Sequence, residues 1–598
     1  MHSSLNYPPH LVGLTITNDP PPPAAIQEVK DLLTKSNQEL LEAHAEILRL
    51  KEKAECLQQL IDSYRAILSP FRSLPQDILR EIFYHCLPTD RNSIMSATDA
   101  PVVLTRVCSL WRSVALTTPH IWAKIHIPIP GHPASSWRHP SYFTESALAK
   151  RWQTFSKLMQ LRCQVVKEWL DRSGTCPLSI SLSYPTHYIL SNPLEHGADD
   201  ELTDPLIEIL LGFASRWSDI HLWIPPPLYK KLESRLSNVV LPTLQNFTAK
   251  LHSRMAHPGP AGKIIQAPNL RKLSLDSPML TLNYPTILPS VANQLTHLSF
   301  FTPIFDHDFF NIIKFCHSLI HCEAKLQAPW PWSHMFPPPS LLRPDVEEVD
   351  LPNLEVLKLY DVGGFSFIFR RIKTPSLKEL YYKSKLRCNG NDHDSSSLLP
   401  AEPLFAILQN TGAPFRKLTI EPSTFRREDT PIWVHMVDTV SHLVIKDPHA
   451  IQNKGYMEED ILIHDLEDFD LNLLRVVNNP TPTPETPPHT KIPLPNLDTL
   501  EVYGAQQFTD EEILGVLRSR IDASRRGEVF PLRKVKFQFW RQKQIDFKAE
   551  VVQYAESAGI SMELELEYPP EPLIPYIGRL SPSFLLPGPS VLGEIDYH

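Results

Sequence analysis

The sequence predicts an α/β chain: a long N-terminal helix and a small all-α segment, followed by a solenoid of short parallel strands with helices on its outer side. Three observations predict it. Residues 24–69 contain neither glycine nor proline and carry a heptad of apolar residues. Residues 70–123 hold two short amphipathic stretches bounded by prolines. The phrase Pro-x-Leu-x-x-Leu-x-Leu then recurs through the rest of the chain. At 598 residues the chain is too long for one compact core, so several domains or a solenoid are expected.

The long helix comes first. Residues 1–23 end in four prolines, Pro20 to Pro23, and are expected to be disordered or extended. From Ala24 a heptad places Ile26, Leu33, Leu40, Ile47, Ala54, Ile61 and Leu68 at a, and Val29, Ser36, Ala43, Leu50, Leu57 and Tyr64 at d. Ten of these thirteen are large and apolar, which is coiled-coil periodicity. A continuous helix of this length reaches on the order of 65 Å at 1.5 Å per residue. The functional reading is self-association through 24–69; the other is a helix folded onto its own protein. Leu32, Leu60 and Ile67 fall at g and widen the apolar stripe beyond a two-stranded seam.

Residues 70–123 follow. Pro75 suits a first helical turn, where its missing N–H costs nothing, and Asp77 suits the positive end of the helix dipole. Leu74, Ile78, Leu79, Ile82, Phe83 and Leu87 recur at helical spacing, and Pro88 ends the run. A second helix is expected after Asp99 and Pro101, with Val103, Leu104, Val107, Cys108, Trp111, Val114 and Ala115 on its apolar face. Pro119 closes it and Trp122 follows. Two short helices this apolar imply a partner.

This segment resembles the F-box. The matching residues are Leu74-Pro75, Asp77, Ile78-Leu79, Ile82-Phe83, then Val107-Cys108 and Trp111-Arg112, in the family's order. The link Pro88 to Ala100 is longer than usual for the family. The long helix ahead of it and the run LTRVCSLWRSVAL are similar to the F-box proteins abundant in mushroom-forming fungi. The resemblance implies adaptor-binding residues: Leu74, Pro75, Ile78, Leu79, Ile82 and Phe83 in the first half, and Val107, Cys108 and Trp111 in the second half or the packing beneath it. Arg112 is a weaker candidate.

Residues 124–175 are expected to form a helical connector, amphipathic from Phe143 to Asp171 and stopped by Gly174. The repeat phrase then appears at 241, 267, 351, 374 and 494, with weaker copies at 215, 292, 316, 415, 440 and 531. Its second ladder position falls at 220, 247, 273, 298, 322, 357, 380, 418, 443, 500 and 535, so the first four gaps are 24 to 27 residues. Each Leu-x-Leu alternates, so both leucines face one side of a short strand. One such unit cannot bury its own face, so many must stack. Phe309, Phe310, Ile312, Ile313 and Phe315 mark one return helix. Thr509-Asp510-Glu511-Glu512 has the form of a capping box ahead of another. The period and phrase resemble degenerate leucine-rich repeats over about 176 to 545, lacking the usual Asn after the strand. The expected solenoid runs from 176 to 568, with MELELEY as its last strand and a Pro-rich tail from Pro569. Insertions fall near 325–350, 387–400 and 446–493. The first holds Trp330 and Trp332, candidate substrate-binding residues because exposed aromatics between prolines suit recognition.

Composition limits the function. Net charge is −9 with 58 basic and 67 acidic residues, so no basic surplus points to nucleic acid. No run of 18 apolar residues is present, so no membrane span is expected and the chain reads as intracellular, in cytoplasm or nucleus or both. The eight cysteines include no CxxC pair and are expected to be small buried hydrophobes. No phosphate-binding, nucleophile-elbow or zinc-protease motif occurs. Asp306-His307-Asp308 and Asp392-His393-Asp394 lack partner ligands at suitable spacing. The expectation is therefore a chain with no catalytic residue, no cofactor and no metal. The F-box resemblance implies the substrate-recognition subunit of a Skp–cullin–F-box ubiquitin ligase, binding the Skp adaptor, through it a cullin, and a protein substrate on the solenoid. The alternative is a non-catalytic repeat and coiled-coil scaffold without that role.

Overall fold

The structure is a computed structural model. It describes residues 8–18, 20–68, 70–130, 145–184, 199–236, 239–251, 264–276, 289–327, 348–362, 367–384, 402–411, 415–421, 434, 437–446, 470–476, 492–504, 508–539 and 541–569. The chain divides into two compact units, Met1–His85 and Cys86–His598.

The first unit is helical. α1 spans Pro23–Ile67, with Pro23 in its first turn. Pairs at i,i+3 and i,i+4 line it, among them Lys35–Glu39, Arg49–Glu46 and Arg65–Asp62. Ahead of it, residues 8–18 are not simply extended. Val12–Thr15 is a 3₁₀ turn, Leu11 is buried, and the His10 imidazole meets Glu28 at 2.9 Å. An apolar residue and a nearby carboxylate give this segment something to fold on. α2 spans Gln76–His85, with Asp77 in its first turn accepting from Arg80 at 2.7 Å.

In the second unit, the single helix expected from Val103 to Ala115 is broken. Val103–Arg106 is a 3₁₀ turn, and α3 spans Ser109–Leu116. Cys108 between them is extended, and its sulfur accepts from the Trp111 N–H at 3.4 Å, so it caps α3 instead of continuing a helix. Pro119–Trp122 follows as a 3₁₀ turn, and the Trp122 Nε1–H donates to the Ala115 carbonyl at 2.8 Å. Trp122 also meets Trp169 edge to face at 4.8 Å, which pins this region to α4, Glu145–Arg172. Gly174 ends α4 at φ +55, where a Cβ would meet Pro119.

Among the described residues, fourteen strands then form one parallel sheet. They are β1 (Lys124–Pro128), β2 (Leu178–Ser183), β3 (Trp217–Ile224), β4 (Asn246–Leu251), β5 (Lys272–Asp276), β6 (His297–Phe305), β7 (His321–Gln327), β9 (Val356–Val362), β11 (Glu379–Ser384), β12 (Lys417–Ile420), β13 (His442–Lys446), β14 (Thr499–Tyr503), β15 (Lys534–Gln538) and β16 (Glu563–Glu567). The two-residue strands β8 (Val349–Asp350) and β10 (Ile372–Lys373) pair separately. Strand order follows chain order throughout.

The eleven ladder positions read from the sequence form one unbroken row. Ile220 is opposite Phe247, and the row continues through Leu273, Leu298, Cys322, Leu357, Leu380, Leu418, Leu443, Leu500 and Val535. All of them are buried. The row extends beyond the repeat phrase to Ile180 and Ile125 at one end and Leu564 at the other. The sheet thus begins inside residues 124–175, expected to be only a helical connector. KIHIP alternates as a strand does but lacks the Pro-x-Leu lead-in. The long link Pro88–Ala100 sits at this first strand: the His126 N–H donates to the Ser93 carbonyl at 2.7 Å, covering an edge that would otherwise be open.

Helices join the strands. Asp306–Ile313 buries Phe309, Phe310, Ile312 and Ile313. Asp510–Arg525 starts with the complete capping box at Thr509 and Glu512. No helix among the described residues is long and apolar enough to cross a membrane.

Candidate binding surfaces

The motif residues separate by exposure. On α2, Ile78 is 49% exposed and Pro75 is exposed; Leu74 and Ile82 are half-buried; Leu79 and Phe83 are fully buried. Their 3.6-residue spacing explains this, since Leu79 and Phe83 share one face and Ile78 sits one step round the helix. In the second unit, Val107 is 57% exposed, Cys108 and Arg112 are exposed, and Trp111 is half-buried. The break at Cys108 turns Val107 outward. The inward role falls to Leu104, Val114 and Ala115, all buried.

The cysteines divide similarly. Cys316 and Cys322 are buried, and burial pushes the Cys316 thiol up to about 12 and the Cys322 thiol higher still. Cys56, Cys86 and Cys108 are exposed rather than core residues; Cys108 is the cap of α3 instead of a member of a helical apolar face. Cys388, Trp330, Trp332, Asp392, His393 and Asp394 lie outside the described residues. Among the described residues, no group of three or more His, Cys, Asp or Glu side chains could hold a metal ion.

The face of the sheet opposite the buried row is polar, and its two ends differ in chemistry. Near β1 to β3 it carries serine and histidine. His126 Nδ1 lies 2.9 Å from Ser181 Oγ, and its Nε2 lies 3.3 Å from Ser183 Oγ. Burial, reinforced by Arg91 and Arg162, lowers the His126 pKa. Both imidazole nitrogens meet hydroxyls, so no carboxylate orients this ring as a serine-hydrolase triad requires.

From β7 to β15 the same face carries tyrosine, lysine and glutamate. Tyr381 donates to Glu421 at 2.5 Å, and Lys383 pairs with Glu421 at 2.8 Å. Tyr360 and Tyr381 lie 4.7 Å apart. Lys446 sits over the rings of Tyr381 and Tyr503, 6.0 and 5.8 Å from their centroids. Tyr503 donates to Glu501 at 2.8 Å, and burial, then Glu501, push its hydroxyl up to about 12. His321 beside Glu323 holds that carboxyl below its usual range against the opposing effect of burial, with Lys358 and Tyr360 adding to it. The sequence reading missed this cluster. Its signal was present in the residues between and after the ladder leucines, such as Lys358, Tyr381 and Glu501, which must face away from the core.

No protein-family model matches this chain, and no curated protein matches it.

Proposed function

We propose that this chain is the substrate-recognition subunit of a Skp–cullin–F-box ubiquitin ligase, with a degenerate leucine-rich-repeat solenoid as its substrate platform. The observation that carries the reading is the ordered motif from Leu74-Pro75 to Trp111-Arg112, lying on two short helical segments that each leave apolar side chains in water. Exposed Ile78 and Val107 are suited to adaptor contact, and buried Leu79 and Phe83 to holding α2 in shape.

The solenoid reading is supported by fourteen parallel strands in chain order and by one ladder row through all of them. Such stacking gives an extended face for a protein partner. We assign the substrate to the tyrosine, lysine and glutamate face between β7 and β15, where aromatic rings and both charge signs are available for recognition. The chain contributes proximity: it holds the substrate near a ubiquitin-charged enzyme whose catalytic groups belong to other subunits.

Co-expression with a fungal Skp adaptor and its cullin tests this. Affinity purification of the wild type should bring down both. Leu74→Ala, Pro75→Ala and Ile82→Asp together should release both while circular dichroism stays unchanged. Failure of the folded wild type to retain the adaptor would refute the receptor reading. Retention of the adaptor without cullin would favour the scaffold.

A further inference from the structure

We infer that α1 is the dimerisation element of this protein and pairs in parallel with α1 of a second copy as a two-stranded coiled coil. The ten large apolar a and d residues, from Ile26 to Leu68, are each between 40% and 81% exposed. Monomeric proteins rarely expose a contiguous apolar stripe of more than a few hundred Å². The helix turns this stripe to water over forty-five residues.

Ile26, Ile47 and Ile61 at a with Leu50 and Leu57 at d follow the pattern that favours two strands, whereas Leu33, Leu40 and Leu68 at a and the apolar g residues Leu32, Leu60 and Ile67 do not, so the mass of the assembly decides the strand number. Burying such side chains from both copies removes on the order of 1,500 Å² of apolar surface from water, taking about 60–120 Å² per side chain. That clears the roughly 1,000 Å² a specific interface needs.

Charge favours the parallel direction. The e positions hold Lys30, Asn37, His44, Lys51, Gln58 and Arg65, none of them acidic, and the charged g residues are Glu39, Glu46 and Lys53. In a parallel pair each g residue faces the e residue five positions on in the other copy. Glu46 then faces Lys51 and Glu39 faces His44, each twice by symmetry, and no like charges meet. Antiparallel registers that keep the apolar layers in step bring some like charges together: Glu46 faces its own copy in the fully overlapped register, where Lys53 meets Glu39, and Lys30 faces Arg65 one heptad away, where Lys53 meets Glu46. Only the parallel register leaves no like charges facing.

Parallel pairing brings α2 of both copies out at the same end, since only residues 68–75 separate it from α1. The protein is thereby a bivalent binder, whose avidity for a repeated or dimeric partner exceeds that of one copy. The inference stands apart from the adaptor reading and is tested without the adaptor.

The full-length chain, alone, is run on size exclusion with light scattering at 1–50 μM. The expected mass is twice the 68.3 kDa of the chain. Ile47→Asp with Leu50→Asp should give a monomer of otherwise unchanged circular dichroism. Under glutathione redox buffer, Ser36→Cys should yield a disulfide joining position 36 of the two copies, mapped by mass spectrometry against the wild type. A monomeric wild type, a mass of three or four chains, or a dimer that survives the Asp substitutions would overturn the proposal. So would a 36-to-54 disulfide from a mixture of Ser36→Cys and Ala54→Cys chains without a 36-to-36 product, because that is the layer of the fully overlapped antiparallel register.

Discussion

Arg520 Nη2 donates to the carbonyl oxygen of Leu494 at 2.6 Å, and the guanidinium making this bond is fully buried. Its Nη1 reaches the carbonyls of Leu474 and Pro493, each at 3.1 Å. One side chain of the helix Asp510–Arg525 thus ties residues 470–476 to residues 492–494. Leu494 stands at φ 45, a left-handed conformation that costs a non-glycine residue about 1–2 kcal/mol. Burial pulls the Arg520 pKa down to about 10, so the group is still charged at neutral pH. Arg520→Met keeps the bulk and leaves three carbonyls without this donor. A loss of about 3 kcal/mol is expected, read as a lower urea midpoint by tryptophan fluorescence. An unchanged midpoint would show that the bonds add nothing.

A second prediction separates the two sides of α2. Leu79→Ala and Phe83→Ala each remove fully buried volume and should cost about 2–5 kcal/mol. Ile78→Ala removes an exposed side chain and should stay within about 0.5 kcal/mol. Equal losses at positions 78 and 79 would contradict the assigned faces.

The ladder row gives a third. Leu418 is fully buried in the middle of the sheet, between Leu380 and Leu443. Leu418→Ala should cost about 2–5 kcal/mol, and Lys417→Ala, one step along and facing the polar side, under about 1 kcal/mol. Differential scanning fluorimetry of the two variants beside the wild type reads the contrast.

Acid sensitivity supplies a fourth. Asp510 is buried; burial opposes its charge, but Arg541 at 2.5 Å and the N–H groups of Ile545 and Gln544, each at 2.8 Å, hold its pKa below the usual range. With a folded pKa below the unfolded value, its stabilisation is present above about pH 4 and is lost as pH falls towards the folded pKa. Asp510→Asn should cost about 3 kcal/mol at pH 7 and flatten the stability profile below pH 4. A variant profile parallel to the wild type down to pH 2 would show that another group carries the effect.

The ladder was legible because period-2 apolar residues behind a Pro-x-Leu turn leave few alternatives at five positions, and weaker copies of the phrase placed six more; all eleven face one another in the sheet. Ile125 and Ile180 belong to the same row but lie in no copy of the phrase and at wider gaps, so they were not legible. The break at Cys108 was hidden because a cysteine among apolar residues reads as one more helical position, and only its backbone shows it as a cap. Arg520 carries no local signal of burial, since its carbonyl partners lie 26, 27 and 46 residues away. The tyrosines of the polar face were obscured by the gaps between strands, which range from 23 to 57 residues in the row itself.

The central claim rests on two exposed apolar side chains, Ile78 and Val107. Calorimetric titration of a purified Skp adaptor into the full-length chain, beside the double variant Ile78→Asp with Val107→Asp at unchanged circular dichroism, tests it most directly. The account predicts saturable binding by the wild type and at least about a hundredfold weaker binding by the double variant, the loss of two interface anchors at about 1.4 kcal/mol per factor of ten. A folded wild type that shows no heat of binding, or a double variant that binds as tightly as the wild type, would contradict it.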